Sequence, residues 1–229
     1  MKILLQKYLP RYALTRLFGK LAESKVVWFK NLFIRIFIKL YGIQLQEYEV
    51  TDYQQFTCFN AFFSRKLADN RRPVAVDPNA IAAPVDGFIY EFGCSQADTL
   101  LTAKGSQFHL KDLVVDSQWA SLVQGGHFLC LYLSPRDYHR VHMPLTGTLQ
   151  ATLYIPGDYY SVNPEILAKI PNVFARNERL VCYFETAFGP MLYIMVGAMN
   201  VSSLHTVWAG HINKARQGQL ITTDYTKDC

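Results

Sequence analysis

The fold class is decided by residues 180–196, which read LVCYFETAFGPMLYIMV. Two apolar runs of strand length, Leu180 to Phe184 and Met191 to Val196, flank the segment Thr186 to Pro190, which contains Gly and Pro. Apolar runs separated by such a segment are typical of a β-hairpin. We therefore expect two antiparallel strands joined by a short turn.

Further strands are predicted upstream, where Phe128 to Leu133 and Leu149 to Ile155 form similar apolar runs bounded by Gly, Pro, Asn and Asp. The first third of the chain differs, because its apolar residues follow a helical pattern. The sequence predicts an α+β protein in which N-terminal amphipathic helices precede a mainly antiparallel β catalytic domain. We divide it into basic amphipathic membrane-associating helices (1–42), a helical connector (43–78) and a β-rich catalytic domain (79–229), incomplete at its C-terminus.

The positive charge of the chain lies in its N-terminal part. Residues 1–42 hold nine Lys and Arg against one acidic residue, Glu23, which gives +8, whereas the remaining residues carry fourteen basic and seventeen acidic side chains, which gives −3. This asymmetry is typical of an arm that meets an anionic surface.

The apolar stretch Val26 to Tyr41 is interrupted by Lys30, Arg35 and Lys39. A membrane-spanning helix needs about 20 largely uncharged residues, so we expect this segment to lie on a membrane surface. The alternative is that these helices pack on the protein's own core with their lysines reaching outward.

Residues 133–144, LSPRDYHRVHMP, contain two histidines three positions apart, His139 and His142. Pro135 and Pro144 favour a turn, in which both imidazoles could enter one site, whereas an extended backbone would point them to opposite faces. A zinc site is an alternative, although a third ligand in a recognisable frame is missing. A purely structural pair of histidines is the other alternative.

A second candidate is Asp86, in the turn-forming sequence APVDG of residues 83–87. Further short motifs follow along the chain: YIPGD (154–158), SVN (161–163), FARNER (174–179), FGP (188–190), VGA (196–198) and TVWAG (206–210). Together with LSPRDYHRVHMP, in this order and spacing, they resemble the bacterial phosphatidylserine decarboxylases along nearly the whole chain, from residues 14–16 onward.

The resemblance implies decarboxylation of phosphatidylserine to phosphatidylethanolamine through a Schiff base to a pyruvoyl group. Removal of carbon dioxide leaves charge on Cα, which requires an electron sink. The family makes this cofactor by cutting its own precursor at a Gly-Ser bond. By resemblance, Asp86 is the carboxylate and His142 the base of this self-cleavage, and His139 is the candidate for protonating Cα of the substrate.

The resemblance also implies partners and a location. We expect a small pyruvoyl-bearing α chain, phosphatidylserine in an anionic membrane, a possible homodimer of αβ units and peripheral attachment to the cytoplasmic face of the cell membrane. We expect no nucleic-acid partner. The five scattered cysteines are consistent with reduced thiols.

The family's cleavage motif is absent from these 229 residues. We expect the pyruvoyl serine beyond residue 229, so that this chain by itself neither cuts itself nor decarboxylates. The pair Gly105-Ser106 precedes the histidine segment and is rejected as the cleavage site. Three arginines, Arg136, Arg176 and Arg179, could meet the lipid headgroup or pair with neighbouring acidic residues.

Two other functions remain open. A serine lipid hydrolase could use Asp86, His142 and Ser134 or Ser161, although the chain lacks the Gly-x-Ser-x-Gly motif. A non-catalytic membrane-binding relative, or a naturally truncated inactive chain, is the second possibility.

Overall fold

The computed structural model describes residues 11–74, 77, 80–96, 98–102, 107–199, 201, 204–212 and 219–226. Contacts between Cα atoms divide the chain into two compact units. The helical unit comprises residues 17–88 and 131–145, and the sheet unit comprises the described residues of 1–16, 89–130 and 146–229. The predicted domain boundaries at residues 42 and 78 stay a prediction.

Helices and antiparallel sheets are both present, which confirms the predicted α+β class. The helices are α1 (Arg11–Ala22), α2 (Val27–Tyr41), α3 (Phe59–Phe63), α4 (Leu110–Val114), α5 (Ser117–Leu122), α6 (Pro164–Leu167) and α7 (Val173–Arg176), with 3-10 turns at Leu45–Glu47 and Tyr53–Gln55. The strands are β1 (Phe88–Gln96), β2 (Thr99–Thr102), β3 (Gln107–His109), β4 (His127–Tyr132), β5 (Gly147–Ile155), β6 (Arg179–Thr186), β7 (Gly189–Val196), β8 (His205–Thr206), β9 (Gly210–His211) and β10 (Ile221–Asp224).

The predicted hairpin is formed by β6 and β7, which pair antiparallel from Arg179 opposite Val196 to Thr186 opposite Gly189. Gly189 has a φ of 105°, a backbone conformation that favours glycine. The hairpin belongs to a four-stranded sheet with the order β10-β5-β6-β7, and a second sheet has the order β3-β2-β1-β4.

Strand β6 is buried on both faces. Leu180, Cys182 and Phe184 pack in one apolar cluster, and Val181 packs in another with residues of α4 and β5. Alternating side chains of a strand point to opposite faces, so β6 contributes to the core on each side of its sheet.

Arg179 is also buried, at 2% exposure. Its guanidinium donates to the main-chain carbonyls of Asp112, Leu113, Ala175 and Asn177 at 2.6 to 2.9 Å. These bonds satisfy a cation that would otherwise be costly to bury. Arg179 therefore stabilises the start of β6 through these hydrogen bonds. The headgroup-binding role considered for it is wrong.

The core of the helical unit is formed mainly by aromatic and aliphatic side chains from its helices and from the histidine segment. The buried members are Ala22, Ile34, Ile43, Leu45, Tyr48, Phe56, Phe59, Phe62 and Tyr138. Phe33 of α2 stacks on Phe59 of α3 with ring centroids 4.3 Å apart. The N-terminal helices and the histidine segment thus share one core.

Helix α2 also presents an exposed apolar ridge, consisting of Trp28, Leu32, Ile36 and Leu40, each more than half exposed. These residues are four positions apart, so they lie on one side of the helix. Lys30, by contrast, is buried and donates to the carbonyl of Gln54 at 2.8 Å. Among the described residues, no helix has the length and apolar character needed to cross a membrane.

Candidate active site

Two short segments of the helical unit run side by side and bring Asp86 and His142 into one region. The main-chain amide of His142 donates to the carbonyl of Pro84 at 2.9 Å, and the amide of Ala82 donates to the carbonyl of Pro144 at 2.8 Å. These bonds hold the segment that carries Asp86 against the end of the histidine segment.

Gly87 allows the chain beside Asp86 to pass close to the end of β4. A Cβ atom at this position would lie 2.4 Å from the carbonyl oxygen of Tyr132. Because that oxygen belongs to the main chain, it cannot move aside as a flexible side chain can. A glycine is therefore required after Asp86 for this close approach.

A turn is present at residues 134–137, ahead of the two histidines, whereas residues 138–143, which carry both of them, form no turn. The amide of Asp137 donates to the carbonyl of Ser134 at 2.9 Å, and the amide of Ser134 donates to the Asp137 carboxylate at 2.6 Å. The side chain and main chain of Asp137 thus close the turn that precedes both histidines.

Arg65 holds this turn in place from the core, where it is only 1% exposed. Its Nη2 donates to the carbonyls of Arg136 (2.9 Å) and Asp137 (3.2 Å) and to the hydroxyl of Tyr48 (2.9 Å). The guanidinium also lies 4.3 Å from the centre of the Tyr48 ring, a favourable cation–π arrangement. Arg65 therefore sets the position of the turn.

The ring of His139 stacks on Phe63, with centroids 4.0 Å apart and an interplanar angle of 21°. Burial, together with the positive charge of Arg65, lowers the pKa of His139 to about 4, against the opposing effects of Asp137 and the carbonyls of Pro135 and Ser134. Nε2 of His139 is buried and has no hydrogen-bond partner among the described residues.

The ring of His142 lies against Tyr138, with centroids 5.6 Å apart and an interplanar angle of 21°. The Tyr138 hydroxyl is 2.9 Å from Nε2 of His142. His139 and His142 therefore pack on different aromatic rings.

The Asp86 carboxylate is held by Arg72. Nε of Arg72 lies 3.0 Å from each carboxylate oxygen, and Nη2 lies 2.6 Å from Oδ2. Nη2 also donates to Glu47 at 2.8 Å. Hydrogen bonds to Asp86 and then to Glu47 raise the pKa of Arg72 above its ordinary value. Within the described part of the chain, no hydrogen bond joins Asp86 to His142.

An open depression of about 220 Å³ lies over this part of the helical unit. Its wall includes Glu47, Arg72, Asp86, Arg136, Asp137 and Tyr138. Of the three predicted site residues, Asp86 lines the depression directly, and His142 is linked to it through Tyr138. With Tyr48, which also lines it, the depression combines two basic, three acidic and two phenolic side chains, an arrangement suited to proton transfer and polar binding.

Comparison with known proteins places the chain in a family. The sequence model of the phosphatidylserine decarboxylase family matches residues 59–223, and a second model, described as PSD, matches residues 1–42. The phosphatidylserine decarboxylase proenzyme of Alcanivorax borkumensis is 48% identical over 227 residues, covering 98% of this chain and 78% of the relative. The proenzymes of Haemophilus ducreyi and Vibrio campbellii are 47% and 45% identical, covering 98% of this chain and 76% and 79% of the relatives.

The chain belongs to the phosphatidylserine decarboxylase family. This confirms the resemblance drawn from the LSPRDYHRVHMP segment and its companion motifs, and it places the protein among carboxy-lyases. The individual roles assigned to Asp86, His139 and His142 stay predictions.

Three residues of this phosphatidylserine decarboxylase site were not anticipated: Arg65, Arg72 and Tyr138. Tyr138 lies inside the LSPRDYHRVHMP segment, four positions before His142, so the sequence spacing could have indicated their contact. Arg65 and Arg72 lie in the predicted connector, where a charged stretch carries no local sign of its distant partners.

The other two arginines considered for headgroup binding lie beside acidic residues. Arg176 forms an ion pair with Asp158 at 3.3 Å and donates to the Tyr160 hydroxyl at 2.7 Å. Arg136 is largely exposed at the depression, 3.7 Å from Asp137. The rejected pair Gly105-Ser106 lies outside the described residues.

Proposed function

We propose that this protein decarboxylates phosphatidylserine to phosphatidylethanolamine, using a pyruvoyl group made by self-cleavage of its precursor at a serine beyond residue 229. The observation that carries the proposal is the family membership, with 48% identity to a phosphatidylserine decarboxylase proenzyme across 98% of this chain. The placement of Asp86, His139 and His142 in one unit supports it.

The residues of the helical unit fit a reaction that moves protons beside such a cofactor. A pyruvoyl group supplies, when present, the electron sink for the charge left on Cα. The buried Nε2 of His139, which has no partner among the described residues, is a group that such a reaction can use. It offers a lone pair at a position sheltered from bulk water.

His139 has the protonation state of a proton carrier that starts neutral. With a pKa of about 4, its ring is uncharged at pH 7. Nε2 can accept a proton from the substrate and return it to Cα after carbon dioxide leaves. The stack on Phe63 keeps the ring in one orientation during both transfers.

His142 and Asp86 are proposed to serve the earlier self-cleavage. The attacking serine hydroxyl must lose its proton, and a neutral imidazole with a fixed tautomer can accept it. The bond from the His142 amide to the Pro84 carbonyl keeps the histidine beside the turn that carries Asp86. Arg72 orients the Asp86 carboxylate at this turn, where its negative charge can stabilise the imidazolium that forms.

The α2 ridge supports attachment to the cytoplasmic face of the cell membrane as a peripheral protein. Arg35 and Lys39 are exposed beside Ile36 and Leu40. An exposed helix face that combines apolar and basic side chains suits the boundary of an anionic bilayer, where both burial and charge contribute.

A small α chain carrying the pyruvoyl group is the proposed protein partner. Exposed apolar side chains lie on β1 and β4 of the sheet unit: Ile89, Phe92 and Leu129. A second chain that covered these side chains would remove their apolar surface from water. Two αβ units are further proposed to pair, which the mass of the purified complex in solution would test.

The decisive experiment is expression of the complete proenzyme and analysis of its products. We expect two chains on a denaturing gel, a small chain whose mass shows an N-terminal pyruvoyl group, and conversion of phosphatidylserine to phosphatidylethanolamine. An active preparation that contains bound pyridoxal phosphate, or full activity of an uncut precursor, would contradict the proposal.

A further inference from the structure

Tyr138 reaches from the core of the helical unit to His142. Its ring is 3% exposed and belongs to the same buried cluster as Ile34 and Phe62. Packing on this cluster fixes the ring, and the hydroxyl is left 2.9 Å from Nε2 of His142. His142 itself is exposed, so a buried residue contacts an exposed one.

The hydroxyl of Tyr138 keeps its proton at neutral pH. Burial is the first cause that raises the pKa of Tyr138, with Asp86 and Tyr48 adding to it and Arg140 and Lys66 opposing it. A neutral phenol can donate or accept one hydrogen bond. The phenol is the more acidic of the two groups and the imidazole nitrogen the more basic, so the hydroxyl donates and Nε2 accepts.

This direction of donation determines the tautomer of His142. If Nε2 accepts, the neutral ring carries its proton on Nδ1. The same tautomer is the one that a carboxylate selects in a Ser-His-Asp arrangement, where it accepts from Nδ1 and leaves Nε2 free to take the serine proton. Asp86, however, is bound to Arg72, so another group must hold the tautomer in this arrangement.

We propose that Tyr138 is a positioning residue that fixes His142 with its proton on Nδ1 and its lone pair on Nε2, and that its hydroxyl marks the point where the serine hydroxyl enters. The inference rests on the proposed self-cleavage, in which His142 is the base. When the serine arrives, its hydroxyl replaces that of Tyr138 at Nε2, and the imidazole needs no change of tautomer before it accepts the proton.

Nitrogen-15 NMR of histidine-labelled protein tests the tautomer without any reaction. In the wild-type chain, the neutral His142 ring should show a protonated Nδ1 and a hydrogen-bonded, unprotonated Nε2. Tyr138→Phe removes one oxygen and keeps the ring in the core, so His142 should change to a mixture of tautomers. Tyr53→Phe is the matched control, because it removes a hydroxyl from a ring packed against the same cluster and should leave the His142 signals unchanged.

Self-cleavage of the complete proenzyme provides the functional measurement. Tyr138→Phe should slow cleavage roughly fivefold, because part of the His142 rings then carry their proton on Nε2 and cannot accept that of the serine. Tyr53→Phe should cleave at the wild-type rate. Equal slowing in both variants would show that the cluster acts only through packing and would overturn the inference. So would a Tyr138→Phe protein with an unchanged tautomer or an unchanged rate.

Different results would contradict the proposed function and the role of Tyr138. A wild-type proenzyme that never cuts itself would overturn the proposed function, whereas a wild type that cuts normally beside an unaffected Tyr138→Phe variant would overturn the role of Tyr138 alone. The melting temperatures of wild type and Tyr138→Phe should agree to within roughly a few degrees, since the substitution removes only the hydroxyl and leaves the buried ring in place.

Discussion

Arg72 donates three hydrogen bonds to the carboxylate of Asp86 and a further one to Glu47. The carboxylate is thus oriented by a residue 14 positions earlier in the chain. Because all three side chains are partly exposed, solvent screens their attraction. The network therefore fixes the orientation of the Asp86 carboxylate and adds little to the free energy of unfolding.

Replacement of Arg72 should therefore separate catalysis from stability. Arg72→Gln is expected to change the free energy of unfolding by less than about 1 kcal/mol, yet to slow self-cleavage roughly tenfold, because a carboxylate without its guanidinium loses its orientation. Gel analysis of precursor decay and denaturant unfolding measure the two effects. Lys169→Gln is the control, since it breaks a similarly exposed pair with Glu165 and should leave cleavage unchanged.

Substitutions of the two histidines should block different steps, self-cleavage for His142 and decarboxylation for His139. His142→Ala and Asp86→Asn are expected to leave the precursor uncut, because the first removes the base and the second removes the charge that stabilises its protonated form. His139→Ala should still be cut to an appreciable extent but produce little phosphatidylethanolamine. His127→Ala, an exposed position at the start of β4, serves as the control for both assays. Normal processing of the Asp86 variant would refute the assignment of that residue.

Local patterns were sufficient for much of the fold. The hairpin of β6 and β7 follows from two apolar runs around Gly189, and the turn before His139 follows from Pro135. Both signals lie within a few residues of the structure that they predict. The α+β class could therefore be read from the sequence alone.

The contacts that organise the site could not be read in this way. Arg65 bonds to carbonyls more than 70 positions later in the chain, and these partners carry no side-chain signal. The sequence allowed Arg179 either to bind a headgroup or to pair with an acidic residue, but tertiary packing buries it among main-chain carbonyls. A cation's role depends on neighbours that only the folded chain supplies.

The depressed pKa of His139 predicts that acid destabilises the fold. An unfolded histidine titrates near its ordinary value of 6.5, whereas the folded residue titrates at about 4, so between these values the unfolded state binds more protons. Stability should fall as pH decreases through this window, by about 1.4 kcal/mol per pH unit and about 3 kcal/mol in total. This contribution is fully present above pH 6.5.

His139→Gln removes the titrating group and tests this expectation. Its free energy of unfolding should depend less on pH than that of the wild type between pH 6.5 and 4, and NMR titration of the wild-type His139 ring should give the midpoint directly. Parallel stability curves for the two proteins would show that the ring is protonated equally in the folded and unfolded states.

Membrane attachment is best tested on the surface of α2. Deletion of residues 1–42 would also remove Ala22 and Ile34 from the core that contains Tyr138. The combined variant Leu32→Ser, Ile36→Ser and Leu40→Ser changes only exposed positions, so it should remain folded.

This variant should lose binding to anionic vesicles at every salt concentration. Burying a leucine or isoleucine fully contributes about 1.5 to 3 kcal/mol, so three partly inserted side chains account for several kcal/mol that salt does not screen. Arg35→Gln with Lys39→Gln should weaken binding chiefly at low salt, by about 1 kcal/mol per charge. Phe188→Ser is the control, since it removes an exposed apolar side chain at the β6–β7 turn. Vesicle co-sedimentation at low and high salt measures all four proteins, and wild-type binding by the triple serine variant would show that the ridge does not contact the membrane.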